Sequence, residues 1–313
     1  MSVMTVNGPL AADSLGVVSP HEHLLIDIRN QFTEFTGIAR RARSEGKVCL
    51  ENMDALSRNP YAVKDNLVMD DVALAEQELL RFKLAGGDTV VDATLTAIGR
   101  DPDALLSLSR ATGVNVVAGC GHYTADTHPA NMAHKTVAEI REEILHDLRH
   151  GMDATRVRAG VIGEIGTSAQ IDPGEKKVLE AAAEAQLETG VGVIVHTYPW
   201  GQCGLDALEI LCGKGVPPQK VSINHIDVEI DLNYCRQLLR AGCSSSSMTS
   251  ARNTSSTGAI ADLPGGSSPG ISSGSWQSRR CSPKDIWIRS WSRATCVSRR
   301  CCTATAAGGS ITS

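Results

Sequence analysis

The stretch VRAGVIGEIGTSAQIDPGEKKVLEAAAEAQLETGVGVIVHTY, residues 157–198, decides the architecture. It opens on a run rich in Val, Ile and Gly (157–166), crosses a polar break and takes up helical spacing over 175–188. After a stop at Gly190 it returns to a second β-branched run over 191–198. Strands that are apolar almost throughout are buried on both faces, and a helix between two of them predicts a parallel sheet covered by helices.

The same unit recurs outward in both directions. Residues 16–28 (GVVSPHEHLLIDI) read as a buried strand with polar residues near its end, and 70–87 as an amphipathic helix stopped by a glycine pair. Strands follow at 88–95 and 114–123, with a helix through 105–110 ending at Gly113 between them, and a further helix spans 136–150. Beyond residue 198 come a helix near 205–212, a strand at 220–227 and a helix at 232–240. Residues 29–66 have few periodic apolar positions and read as a long loop with short helices, able to cover a pocket. Six βα units therefore fit before Gly242. The first strand leads into SPHEHL instead of a glycine-rich phosphate turn, which favours a TIM-like (β/α)8 barrel over an open doubly wound sheet.

Composition bounds the function. The 313 residues are 42% apolar and 21% charged, a globular balance. A net charge of −5 argues against nucleic acid or an anionic membrane as partner and for a small-molecule substrate. No apolar run reaches membrane-spanning length and residues 1–10 lack a signal-peptide pattern, so the expected location is the cytoplasm. The ten cysteines show no CxxC spacing, which fits free thiols in a reducing compartment.

These averages hide a break. Residues 1–242 have ordinary composition and form the barrel unit, whereas 243–313 are crowded with Ser, Gly and Arg and hold only two acids, Asp262 and Asp285. By composition this tail reads as irregular and disordered, so strands seven and eight are expected to be missing or replaced.

Active sites of such barrels lie at the carboxyl ends of the strands. His21 and His23 stand at i and i+2 on the first strand, so both imidazoles point to one face. Glu164 ends the fourth strand, His196 the fifth and His225 the sixth. Four imidazoles with one carboxylate suit Zn, Mn, Co or Fe, and a shared carboxylate can bridge two divalent cations. Tyr123 and Tyr198, just past the third and fifth strands, fall on the rim as substrate-contacting candidates or as packing against neighbouring loops. Asp92 and Cys120 read as barrel-core residues.

The motifs GVVSPHEHLL, GGDTVVDATLTAIGRDP, VVAGCGHY, AGVIGEIGTS, VIVHTYPW and VSINHID, in that order, resemble the strand ends of the phosphotriesterase-related family of the amidohydrolase superfamily. The resemblance covers residues 15–242. It implies a metal-dependent hydrolase in which His21 and His23 bind a buried metal, His196 and His225 a more exposed one, and Glu164 bridges the two. Zinc, with manganese or cobalt as alternatives, is the implied metal, and a homodimer is compatible with the resemblance. Glutamate at the bridge resembles the phosphotriesterase homology proteins, whereas bacterial phosphotriesterases use a carbamylated lysine. The scissile bond is therefore left as ester, lactone, amide or phosphoester.

The resemblance also implies an eighth-strand aspartate that binds metal and takes a proton, and neither Asp262 nor Asp285 ends a strand-like run. A frameshift accounts for this. CSSSSMTSARNTSS (243–256) has a codon set that, read one base earlier, gives LVEFDDVGKEYFV. The same shift applied to SWSRATCVSRRCCTATAAGG (290–309) gives LVSRDVCLKTLLHRYGGWG, and both strings resemble the family's closing strands. Two other readings remain open from the residues: a catalytically dead, truncated metal-binding barrel, and a mononuclear deaminase, against which Glu164 argues.

Overall fold

The chain opens on a hairpin, in a computed structural model that describes residues 2–33, 44–226, 228 and 231–246. Strands β1 (Ser2–Thr5) and β2 (Gly8–Ala11) pair antiparallel across a turn at Val6 and Asn7, closed by Gly8 at φ +119°. The following strands are β3 (Val18–Glu22), β4 (Ile26–Asp27), β5 (Val68–Met69), β6 (Thr89–Asp92), β7 (Asn115–Cys120), β8 (Val161–Gly166), β9 (Val193–His196), β10 (Val221–Asn224) and β11 (Ser244–Ser246). The helices are α1 (Met53–Arg58), α2 (Val72–Leu84), α3 (Pro102–Thr112), α4 (Val137–Arg149), α5 (Pro173–Thr189), α6 (Gly204–Gly213) and α7 (Leu232–Ala241).

Seven strands form one parallel sheet in the order β3, β6, β7, β8, β9, β10, β11, each step separated by at least one helix. This is the sequential winding of a TIM-like barrel, and the six expected βα units are all present. The helices start where short polar side chains can take up orphan amides. Asp71 accepts from the Leu74 amide, Asp101 from Ala104, and Asp231 from Asn233 and Tyr234, while Thr136 with Glu139 and Asp172 with Glu175 form reciprocal caps. Helices α3, α5 and α7 end on Gly113, Gly190 and Gly242 in the left-handed conformation.

Two apolar layers hold the sheet. Its outer face, carrying Val116, Ala118, Ile162, Val193 and Ile223, packs against Leu105, Ile144, Val178, Leu211 and Leu238 of the helices. Each fully buried Leu or Ile here contributes roughly 1.5–3 kcal/mol. Inside the barrel Val117, Val161 and Ile194 meet Val3 of the hairpin, whose Val6 amide donates to the Val116 carbonyl at 2.9 Å. The hairpin thus stoppers the end of the barrel away from the strand carboxyl ends.

The structure departs from the sequence-based expectation in two places. The first strand does not run unbroken over 16–28 but stops at Glu22, because its register against β6 shifts between Ser19 and Glu22 and Asp92 captures the Leu24 amide at 2.8 Å. The sheet also continues past the composition break, since Ser244 to Ser246 pair with Ser222 to Asn224 as a seventh parallel strand. Main-chain hydrogen bonds carry that pairing, so a serine run does not forbid it. The expected disorder and the frameshift concern residues 243–313, of which 247–313, with both tail aspartates, lie outside the described residues.

Candidate metal centre

Glycine shapes the centre of the site. Ile162 and Ile165, an odd number of residues apart, both face the outer core, which strict strand alternation forbids. A register shift between them against β9 resolves the conflict. Gly163 makes the shift with φ +121°, and a Cβ on it would sit 2.2 Å from the Ile194 carbonyl oxygen. The bulge turns Glu164 into the barrel, where its side chain is 1% exposed.

Four histidines converge on that carboxylate. Its Oε2 lies 3.3 Å from His21 Nε2, 3.3 Å from His196 Nδ1 and 3.4 Å from His225 Nε2, and its Oε1 lies 3.4 Å from His23 Nε2. The donors form two sets sharing Glu164: His21, His23 and Glu164, and Glu164, His196 and His225, with the atoms of each set within 4.8 Å of one another. All five residues singled out from the sequence are therefore brought together.

Supporting contacts fix each ring. His23 lies one residue beyond β3, and its Nδ1 is 2.9 Å from Thr94 Oγ1, which donates to the Leu25 carbonyl. Asp92, fully buried, accepts the amides of Leu24 at 2.8 Å and Thr94 at 3.0 Å, holding the chain on both sides of His23. His21 Nδ1 faces the Asn224 side-chain amide at 2.5 Å. The Tyr123 hydroxyl lies 3.2 Å from His196 Nδ1. His225 takes φ +63°, a left-handed conformation uncommon for residues other than glycine though less so for histidine, just after β10 ends at Asn224.

Burial disfavours charge on every ring and lowers the pKa of His21, His196 and His225 from the usual histidine value. At His23 burial acts the same way but is outweighed by the hydrogen bond to Glu164 and its charge, with Asp92 adding to it, so that pKa is raised. Burial alone would push the Glu164 carboxyl up, yet the charges and hydrogen bonds of His21 and His196 outweigh it and hold it well below the carboxylate range. Burial shifts His21, His196 and His225 toward the neutral form, in which an imidazole nitrogen carries a lone pair. Among the described residues the ion-pair partners of Glu164 are these histidines alone. A buried carboxylate with neutral nitrogen donors and no Lys or Arg fits divalent cations of the zinc type.

The sequence reading of the two tyrosines divides. Tyr123 is brought to the centre. Tyr198 is 37% exposed and meets Trp200 in a tilted contact, their ring centroids 5.5 Å apart, with Trp200 meeting Tyr61 at 6.5 Å. It stands in a rim cluster with the 29–66 loop. Asp92, Thr94 and Asn224 were not singled out as site residues. The available signal was a polar side chain inside an otherwise apolar strand end, as in VVDAT and VSINH. The described cysteines Cys49, Cys120, Cys203, Cys212, Cys235 and Cys243 are free thiols, as their spacing predicted.

Residues 1–251 match the phosphotriesterase family model. The chain belongs to the phosphotriesterase family. Among its family relatives, the N-acetyltaurine hydrolase of Danio rerio is 36% identical over 233 residues, 73% of this chain and 65% of the relative. The chain thus spans less than two thirds of that relative's length. A resiniferatoxin-binding protein from Rhodobacter sphaeroides superposes with a TM-score of 0.76 at 33% identity, over 78% of this chain and 68% of the other. The phosphotriesterase homology protein from Escherichia coli, solved with phosphate in its active site, superposes with a TM-score of 0.63 at 29% identity, over 77% and 73%. No helix among the described residues of this phosphotriesterase-family chain is long and apolar enough to cross a membrane.

Proposed function

We propose that this chain is the barrel of a metal-dependent hydrolase that holds two divalent cations, zinc first, and cleaves a small carboxylic amide, ester or lactone. The observation that carries the reading is one buried carboxylate within 3.3–3.4 Å of a nitrogen on each of four histidines from three other strand ends. The names of the relatives, a hydrolase of N-acetyltaurine among them, support an amide as the first substrate class to try.

His21, His23 and Glu164 would hold one cation and Glu164, His196 and His225 the other. When bound, such a pair supplies Lewis-acid polarisation of the scissile carbonyl and lowers the pKa of a nucleophilic water. The chain's own residues do the rest. Glu164 balances positive charge at the centre of the site, and His21, His196 and His225, shifted toward the neutral form by burial, are suited to offer lone pairs. Thr94 and Asp92 hold His23 in place. Tyr123, 8% exposed with its hydroxyl at His196, is placed to donate a hydrogen bond to a substrate oxygen, and Tyr198 with Trp200 offers an apolar rim.

The test is hydrolysis of an N-acyl amino acid, an aryl ester, a γ-lactone and a phosphotriester, each with zinc, manganese or cobalt and with chelator. Turnover in one carboxylic class that chelator abolishes and Tyr123→Phe reduces supports the reading. A second reading, metal binding without turnover, is favoured by one observation of the sequence: neither tail aspartate, Asp262 nor Asp285, ends a strand-like run. Two bound metals with no hydrolysis in any class would select it.

A further inference from the structure

Asn224 is the last residue of β10, 1% exposed, on the strand next to the edge strand β11 of a sheet whose other edge is β3. Its amide touches two groups. Nδ2 lies 2.5 Å from His21 Nδ1, and Oδ1 accepts from the Ser222 hydroxyl at 3.1 Å. A half-turn about Cβ–Cγ exchanges the amide's nitrogen and oxygen and keeps both contacts, because the Ser222 hydroxyl can donate to the oxygen or accept from the nitrogen.

The orientation decides what His21 can do. A neutral imidazole carries one proton. With the amide nitrogen toward Nδ1, that ring atom accepts and the proton sits on Nε2, the atom that faces Glu164 and His23 at 3.3 Å each. A protonated Nε2 has no lone pair for a cation. With the amide oxygen toward Nδ1, the proton moves to Nδ1 and Nε2 is free to ligate. We infer that Asn224 is a positioning residue for the proposed metal centre: its amide oxygen accepts from His21 Nδ1 and fixes the tautomer that ligates through Nε2, with Ser222 sustaining the required orientation. The inference rests on the two-cation reading of the site and adds a residue that would contact neither cation nor substrate.

The test titrates the whole chain with zinc alone against a chromogenic chelator. Asn224→Leu keeps the volume and removes the acceptor; Asn224→Asp supplies an oxygen whichever way it turns. Wild type is expected to bind two zincs, Asn224→Leu to bind one of them roughly 10- to 100-fold more weakly, and Asn224→Asp to restore the affinity. Nitrogen-15 NMR of zinc-loaded wild type is expected to place the His21 proton on Nδ1, a readout that survives if the leucine variant fails to fold. Equal affinities for both zincs in Asn224→Leu, no restoration by Asn224→Asp, or a His21 proton on Nε2 in the loaded protein would each overturn the role of Asn224 while leaving the metal centre standing. Wild type that binds no zinc would overturn the metal centre itself and the inference with it.

Discussion

Replacing Glu164 with glutamine removes one charge and keeps the shape of the side chain. At the 3.4 Å between His23 Nε2 and Glu164 Oε1, a pair of unit charges gains about 5 kcal/mol before desolvation at an effective dielectric constant near 20. The metal-free variant loses less than this, because without the Glu164 charge that raises its pKa, His23 takes the neutral form more readily. A divalent cation has no such escape. Removing one partner from a buried pair costs about 3–5 kcal/mol, and about 3 kcal/mol already weakens binding by about 100-fold. With zinc at about 100 times the wild-type Kd, wild type gains about 2.7 kcal/mol, which for a domain of this size raises Tm by about 5–10 °C. The same zinc concentration then equals the Kd of Glu164→Gln and adds only about 0.4 kcal/mol, or 1–2 °C. Thermal melts of both proteins in chelator and over a zinc series measure this directly. A zinc-dependent rise in Glu164→Gln equal to that of wild type would refute the bridging role.

Other perturbations report on different parts of the structure. Gly163→Ala places a Cβ 2.2 Å from the Ile194 carbonyl oxygen at φ +121°, so urea unfolding is expected to show a loss of more than about 1 kcal/mol; undiminished stability would contradict the bulge that aims Glu164. In chelator, His21, His196 and His225 resist protonation in the folded state. Stability is therefore expected to fall as pH drops below the unfolded histidine value near 6.5, by up to about 1.4 kcal/mol per pH unit per histidine. His23, whose pKa is raised, contributes in the opposite sense, adding stability that is full below 6.5 and lost as pH rises through its folded value. A urea midpoint constant from pH 7 to pH 5 would count against the buried neutral rings. Resequencing the gene across the codons for residues 240–256 is expected to yield a frame encoding LVEFDDVGKEYFV in place of CSSSSMTSARNTSS; an unchanged frame would make the serine-rich tail genuine.

Repetition made the barrel legible in the sequence. From β6 to β10 each strand carries a short Val or Ile run, largely buried on both faces, which leaves little alternation to confuse the assignment. The five converging residues were legible because barrel geometry places every strand's carboxyl end on one rim, so that residues 21 to 225 become neighbours with no local signal linking them. Less visible was what depends on register. The bulge at Gly163 follows from a contact with the Ile194 carbonyl, and the end of β3 at Glu22 follows from Asp92 capturing the Leu24 amide. Both are long-range events. The hairpin at Val6 and Asn7 did have a local signal, the Asn-Gly pair, but two four-residue strands are too short for periodicity to announce. Tyr198 looked equivalent to Tyr123 by position, and the tertiary contacts separate them: Tyr123 reaches His196, whereas Tyr198 meets Trp200 on the rim.

The most direct measurement is anomalous diffraction at the zinc edge from crystals of the protein grown with zinc. Two anomalous peaks are expected, one contacted by His21, His23 and Glu164 and the other by Glu164, His196 and His225. No peak at Glu164, or zinc bound only at other residues, would contradict the metal centre and the hydrolase reading built on it.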